Sequence, residues 1–207
     1  MPDMKEYLTI RTASNQSASV GAALTATRLA DGAARAIGLF SPQIGASVNT
    51  VFAIVSGEDR AALDRAAGEI GAIADVTSVD RQALTPAAER NLDMLGDSPA
   101  MFTNRWFHVL SDKAEAFEQD TIPVWDGFEH DTKCNVIGLW HTAPRDGVTS
   151  YLLVARYDDL LAWSNSRYYN MDPNAPKPAW VESFARRRGY MTDTSVIATR
   201  CIGTSAA

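Results

Sequence analysis

The residues able to do chemistry crowd into one half of this 207-residue sequence. Residues 1–100 hold three aromatics, Tyr7, Phe40 and Phe52, and no Trp, His or Cys. The other 15 aromatics, all five Trp, all three His and both Cys follow. Rings and imidazoles make most pocket walls and proton-transfer groups, so a site is expected in the second half. Side chains two apart on a strand share a face, which puts His108 with Asn104 and Trp106, and turns Arg105 and Phe107 the other way. An imidazole titrating near neutrality beside an indole can act as a general base against an aromatic substrate wall. A core histidine satisfied by a neighbour is the ordinary alternative.

Arg105 and Arg156 stand inside apolar strand sequences, where an unpaired guanidinium would be costly. Each must reach solvent, form an ion pair, or hold an anionic substrate or enolate oxygen bidentately. Tyr151, Tyr157, Tyr168 and Tyr169 offer phenol donors to a carbonyl. The candidate site is therefore His108 as base with Arg105 and Tyr151 as catalytic partners. Trp106, Trp125, Trp140, His141, Arg156 and Tyr168 are the candidate substrate-binding residues. His130, in Glu129-His130-Asp131, lies at a helix end between acids. No His-x-x-x-His or Cys-x-x-Cys spacing occurs, so no metal site is expected. Gly-rich phosphate loops, a nucleophile elbow and a dinucleotide fingerprint are absent from the sequence as well. Arg186-Arg187-Arg188 reads as a solvated helix end.

A net charge of −6 and a pI near 5.0 argue against a nucleic-acid partner. No apolar stretch approaches the roughly 20 residues of a membrane-spanning helix. The N-terminus MPDMKEYLTIR lacks a secretory apolar core. Cys134 and Cys201 read as reduced thiols. These features together lead to the expectation of a cytoplasmic protein.

The elements that must carry these residues follow from pattern. Strands are expected at 5–12, from 37, at 48–55 and at 76–84, with helices at 18–36 and 59–74. The second half repeats this order: strands 102–110, 135–141, 149–157 and 194–202. Its helices are 112–130, capped by Ser111 and kinked by Pro123, one from Asp159 toward Arg167, and a short one at 179–188. A turn falls at Pro144-Arg145-Asp146-Gly147. A Pro-rich excursion at 171–178 could close over a pocket. The halves match at a shift of 100 residues: Ile37-Gly38-Leu39-Phe40 corresponds to Ile137-Gly138-Leu139-Trp140, and Asp59 falls on Asp159. The fold class expected is α+β, two tandem ferredoxin-like β-α-β-β-α-β units packed sheet on sheet. The domain division is 1–85, a degenerate scaffold half; 86–100, a linker; and 101–207, the half with the site.

The second half resembles the NIPSNAP family of the dimeric α/β-barrel superfamily. The resemblance rests on Asn104-Arg105-Trp106-Phe107-His108-Val109, Pro123-Val124-Trp125, Ile137-Gly138-Leu139-Trp140, the run from Gly147 to Asp158, Trp163 and Arg167. It covers residues 101–168, and the first half only through the repeat. It implies fused ferredoxin-like units forming a barrel, in many relatives as a homodimer. Superfamily members include cofactor-independent monooxygenases of aromatic polyketides, haem-degrading enzymes and isomerases, so fold does not settle function. The leading expectation is an enzyme without cofactor. It would act on a small apolar, aromatic metabolite by proton abstraction and oxyanion stabilisation, as a monooxygenase, lyase or isomerase. A haem-binding or haem-degrading protein is the second reading. A non-catalytic binding or adaptor protein is the third.

Overall fold

In the computed structural model of the protein, residues 3–96, 100–167, 174 and 176–206 are described. The strands are β1 (Met4–Thr12), β2 (Ala34–Ile44), β3 (Thr50–Gly57), β4 (Val76–Glu89), β5 (Met101–Leu110), β6 (Asn135–His141), β7 (Val148–Tyr157) and β8 (Met191–Gly203). The helices are α1 (Ser17–Ala26), α2 (Arg60–Gly71), α3 (Ala114–Gln119), α4 (Trp125–Thr132), α5 (Leu160–Asn165) and α6 (Ala179–Arg186). The class is α+β. Along the hydrogen bonds the strands run β1-β3-β2-β8-β5-β7-β6-β4, and β4 pairs with β1.

The chain divides into two units. The first comprises Met1–Thr85, Leu92–Pro99 and Ile197–Ala207. In it β3 lies antiparallel between β1 and β2, with Tyr7 opposite Ile54 and Leu39 opposite Ala53. The unbroken apolar run of β3 fits a central strand buried throughout. Val51, Ala53 and Val55 share a face and pack, with Leu8 and Ile10, against Val20 and Leu24 of α1 and Leu63, Ala66 and Ile70 of α2. Asp59 caps α2, its carboxylate accepting from the Ala62 N–H at 2.7 Å.

The helix expected over 18–36 stops at Ala26. Thr27 is extended, and Ala30 and Asp31 take positive φ inside the 3-10 turn Leu29–Gly32. Leu29 and Ala30 are buried there, and the Ala30 N–H donates to Glu69 at 2.8 Å. Packing overrides the helical preference of the Ala-rich sequence, and β2 begins at Ala34. Strand β4 likewise runs through Pro86 to Glu89, and a 3-10 turn covers Leu92–Gly96, both within the stretch read as linker.

The second unit comprises Pro86–Asn91 and Ala100–Val196. Here β7 is central, antiparallel to β5 and β6. Asp146 and Gly147, both at positive φ, join Arg145 to Val148 in a two-residue turn closed by backbone bonds of 2.8 and 2.9 Å. The helix expected over 112–130 is two helices, α3 and α4, separated around Pro123. Ser111 does not cap it; its hydroxyl meets that of Thr149 at 3.0 Å. The expected apolar stripe nonetheless survives the break, with Phe117, Thr121, Trp125 and Phe128 all buried.

Three local features recur 100 residues apart. The β2–β3 register slips between Ala36 and Gly38, and the β6–β7 register between Val136 and Gly138. The ring of Phe40 covers Gly38 so closely that a Cβ there would sit 2.8 Å from it, and the Trp140 ring covers Gly138 at 2.5 Å. Asp159 caps α5 through the Ala162 N–H at 2.7 Å, as Asp59 caps α2. No helix among the described residues is long and apolar enough to cross a membrane.

Candidate active site

In the second unit, alternation along β5 and β7 sorts side chains onto two faces. Phe107 and Val109 of β5, and Tyr151, Leu153, Ala155 and Tyr157 of β7, pack with Phe117, Trp125, Phe128, Trp180 and Phe184 from the helices. α6 is strongly amphipathic, burying Trp180, Val181 and Phe184. Phe128, Trp180 and Phe184 meet edge to face, with ring centres 5.2 to 5.5 Å apart.

Within this aromatic packing lies a cavity of about 460 Å³. β5 contributes Thr103, Arg105 and Phe107, and β7 contributes Leu153, Ala155 and Tyr157. The helical side adds Trp125, Phe128, Trp163, Arg167, Trp180, Phe184, Arg187 and Arg188. Four arginines thus line it, and no acidic residue, lysine or histidine does among the described lining residues.

Rings support these cations. The Arg187 guanidinium carbon lies 3.8 Å from the ring centre of Phe184 and 4.8 Å from that of Phe107, and its Nη1 donates to Thr121 at 3.3 Å. Arg187 is 8% exposed, deep for a cation. Arg167 stacks on Trp163 at 4.2 Å, and Arg105 lies 5.7 Å from the Phe107 ring centre. Such contacts hold a guanidinium in place. Arg188 is exposed. The buried indole N–H of Trp125 has no acceptor among the described residues. Burial holds the Tyr157 phenol well above its ordinary pKa, so it stays protonated.

The expected site residues separate between the two faces. Arg105 and Trp125 line the cavity. His108 is not among its described lining residues; it lies half-buried on the opposite face of β5, its Nδ1 2.9 Å from the Ser150 hydroxyl. Trp106 shares that face and is buried. Trp140 is buried away from the cavity lining, its indole N–H donating to Glu89 at 2.6 Å. Tyr151 packs on Phe117 and donates to Glu118 at 2.7 Å; burial, followed by this bond, raises its pKa. His141 sits with its ring centre 5.5 Å from that of Tyr151. Arg156 pairs with Asp158 at 3.4 Å. His130 is exposed at the end of α4. Tyr168 and half of the 171–178 excursion lie outside the described residues.

Trp163, Arg167, Trp180, Phe184, Arg187 and Arg188 were not among the sequence candidates. The signal for two of them, Arg187 and Arg188, was the triple arginine at the end of an amphipathic helix. Arg186 does behave as a solvated end, paired with Asp120 at 2.7 Å, and this hydrogen bond holds the Asp120 carboxyl below its usual range. Its neighbour Arg187 instead turns inward. Two cavities of about 320 and 390 Å³ in the first unit have no aromatic residue in their described linings.

No family model matches the chain, and no curated protein matches it in sequence. Solved structures match its fold over nearly its whole length. One is an anthrone oxidase-like protein, 13% identical, with a TM-score of 0.66, covering 99% of this chain and 96% of its own. Another, described as a "putative monooxygenase" from Lactobacillus acidophilus NCFM, is 11% identical with a TM-score of 0.64, covering 100% and 97%. A third is the chlorite dismutase of Candidatus Nitrospira defluvii in complex with imidazole, 8% identical, with a TM-score of 0.57, covering 96% and 90%. At these identities the likeness is one of fold.

Proposed function

We propose that the protein is a monooxygenase-type enzyme without a cofactor, acting on a small aromatic compound in the cavity of the second unit. The observation that carries this reading is the cavity itself: about 460 Å³, walled by aromatic rings and lined by arginines. Its volume suits a small-molecule ligand. Fold neighbours named as monooxygenase and anthrone oxidase-like support the reaction type. An acidic C–H or phenol of the ligand loses its proton, and Arg105 stabilises the oxyanion that results. The lining supplies no imidazole or carboxylate among the described residues. The cationic field therefore works by lowering the substrate's own pKa, and water takes the proton. The carbanion then adds O2, and loss of water leaves the oxidised ring ketone.

Anthrone is a suitable probe. It should be converted to anthraquinone with one O2 consumed and one water formed, followed by absorbance and an oxygen electrode in metal-chelated buffer. Binding without oxygen uptake would make the protein a small-molecule binder rather than an enzyme.

The chlorite dismutase likeness raises haem as a second reading. The described cavity residues fit it poorly: they include no imidazole or thiol as axial ligand, and Tyr157 is held protonated. Haem titration should give no Soret shift. The recurrent register slip, glycine–ring pair and aspartate cap support reading the two halves as a duplicated ferredoxin-like unit. Assignment to the NIPSNAP family rests on residues 101–168.

A further inference from the structure

We propose that Asp120 is a positioning residue for the cavity of the second unit. It fixes the turn that carries Arg187, and so the place of that guanidinium in the lining. The proposal rests on the reading of this cavity as the ligand site. Asp120 is not itself among the described lining residues. It directly follows α3, where a carboxylate faces the negative end of a helix and gains nothing from it. Its partners come from the end of α6 instead. Arg186 donates to one carboxylate oxygen from Nη2 at 2.7 Å and from Nε at 3.1 Å. The Tyr190 hydroxyl donates to the other oxygen at 3.1 Å. These two residues bracket Arg187, the first residue of the 3-10 turn Arg187–Tyr190.

The neighbouring Thr121 completes the clasp. Fully buried, it accepts from Arg187 Nη1 at 3.3 Å. Phe117 of α3 adds its ring centre 5.8 Å from the same guanidinium. Adjacent arginines are thus sorted by adjacent residues: Arg186 goes outward to Asp120, and Arg187 inward to Thr121. The Asp120 side chain is 14% exposed against 56% for Arg186, so the ion pair is partly shielded from solvent and stronger than a fully exposed one. After the bonds from Arg186 and Tyr190, the attraction of Arg187 also acts on the Asp120 carboxyl. Ring contacts tolerate sliding, whereas a carboxylate clasped at both oxygens fixes register.

The test uses the full chain and reads position and binding separately. In proton–nitrogen NMR spectra the Arg187 Nε–H, assigned by its loss in Arg187→Lys, should be displaced by the ring currents of Phe184 and Phe107. Asp120→Asn should return it toward the ordinary arginine position. In the same variant, calorimetric affinity for 1-naphthol should fall at least about threefold, the lower range of coupling within one network. Arg186→Gln, a change at an exposed side chain, should do the same, and the double variant should lose little more. Asp120→Glu, which keeps the carboxylate, should recover most of the affinity. An Arg187 signal unmoved in both single variants, additive losses, or a lower melting temperature with unchanged affinity would overturn the proposal. Failure of the parent chain to bind 1-naphthol would instead remove the ligand-site reading, and the Arg187 signal would still decide the positioning.

Discussion

Arg105 and His108 are three residues apart on one strand and face opposite ways, which makes them the sharpest pair for locating the chemistry. Arg105→Gln should lower turnover on an aromatic probe by about 10²–10³ while leaving the melting temperature nearly unchanged, the usual effect of removing an oxyanion donor. His108→Ala should leave turnover within a few-fold and act instead through its bond to Ser150, seen as a small fall in melting temperature. A loss of activity confined to His108→Ala would move the site to the other face. Parity along β5 already separates Arg105 and Phe107 from Trp106 and His108 in the sequence. Spacing alone does not tell which face the helices cover. That depends on α4 and α6 closing over Phe107, a contact between segments about 20 to 80 residues apart in the chain. Arg187 was hidden for a similar reason: a charged run has the same composition whether it ends in water or turns inward.

At the scale of elements, central strands were easiest to read. β3 and β7 are continuous apolar runs bounded by turn residues, and Asp59 and Asp159 announce their helices by capping chemistry. The Ala-rich 18–36 stretch misled because intrinsic propensity is weak beside tertiary demands such as the burial of Leu29 and Ala30. The shared Gly-x-aromatic pattern has a testable meaning. Gly138→Ala places a methyl 2.5 Å from the Trp140 ring, and overpacking of this kind costs about 1–3 kcal/mol. Thermal denaturation should show a drop of roughly 3–10 °C for a chain of this size. Adding Trp140→Leu should recover part of the loss, so that the double-mutant cycle is non-additive. Additive effects would mean that the ring does not constrain the glycine.

For the whole molecule, stability should fall on the alkaline side. Burial pushes the Cys134 thiol up to about 12, against about 8.5 in an unfolded chain. Its contribution is intact below about pH 8.5 and is lost as pH rises toward 12, at about 1.4 kcal/mol per pH unit. Buried Tyr151 and Tyr157, also raised, add the same sign of effect above roughly pH 10. Denaturant midpoints between pH 8.5 and 10 should decline less steeply in Cys134→Ala than in the parent, whatever the difference in absolute stability. A parallel decline would place the thiol in contact with water.

The charge distribution also bears on timing. The chain carries −6 overall, while its cavity is lined by four arginines. For an incoming anion the far field is repulsive and the near field attractive, so encounter and retention respond to ionic strength in different ways. From about 10 to 100 mM salt the Debye length shrinks from about 30 to 10 Å. That screens the distant repulsion first, so the association rate should rise. The dissociation rate should rise too, and more steeply, as the close attraction weakens. Stopped-flow traces with an aromatic anion such as 1-naphthoate as the probe would show both rates climbing together. The protein would then trade residence time for access, and its occupancy would be set by the ionic strength of its surroundings as much as by ligand concentration.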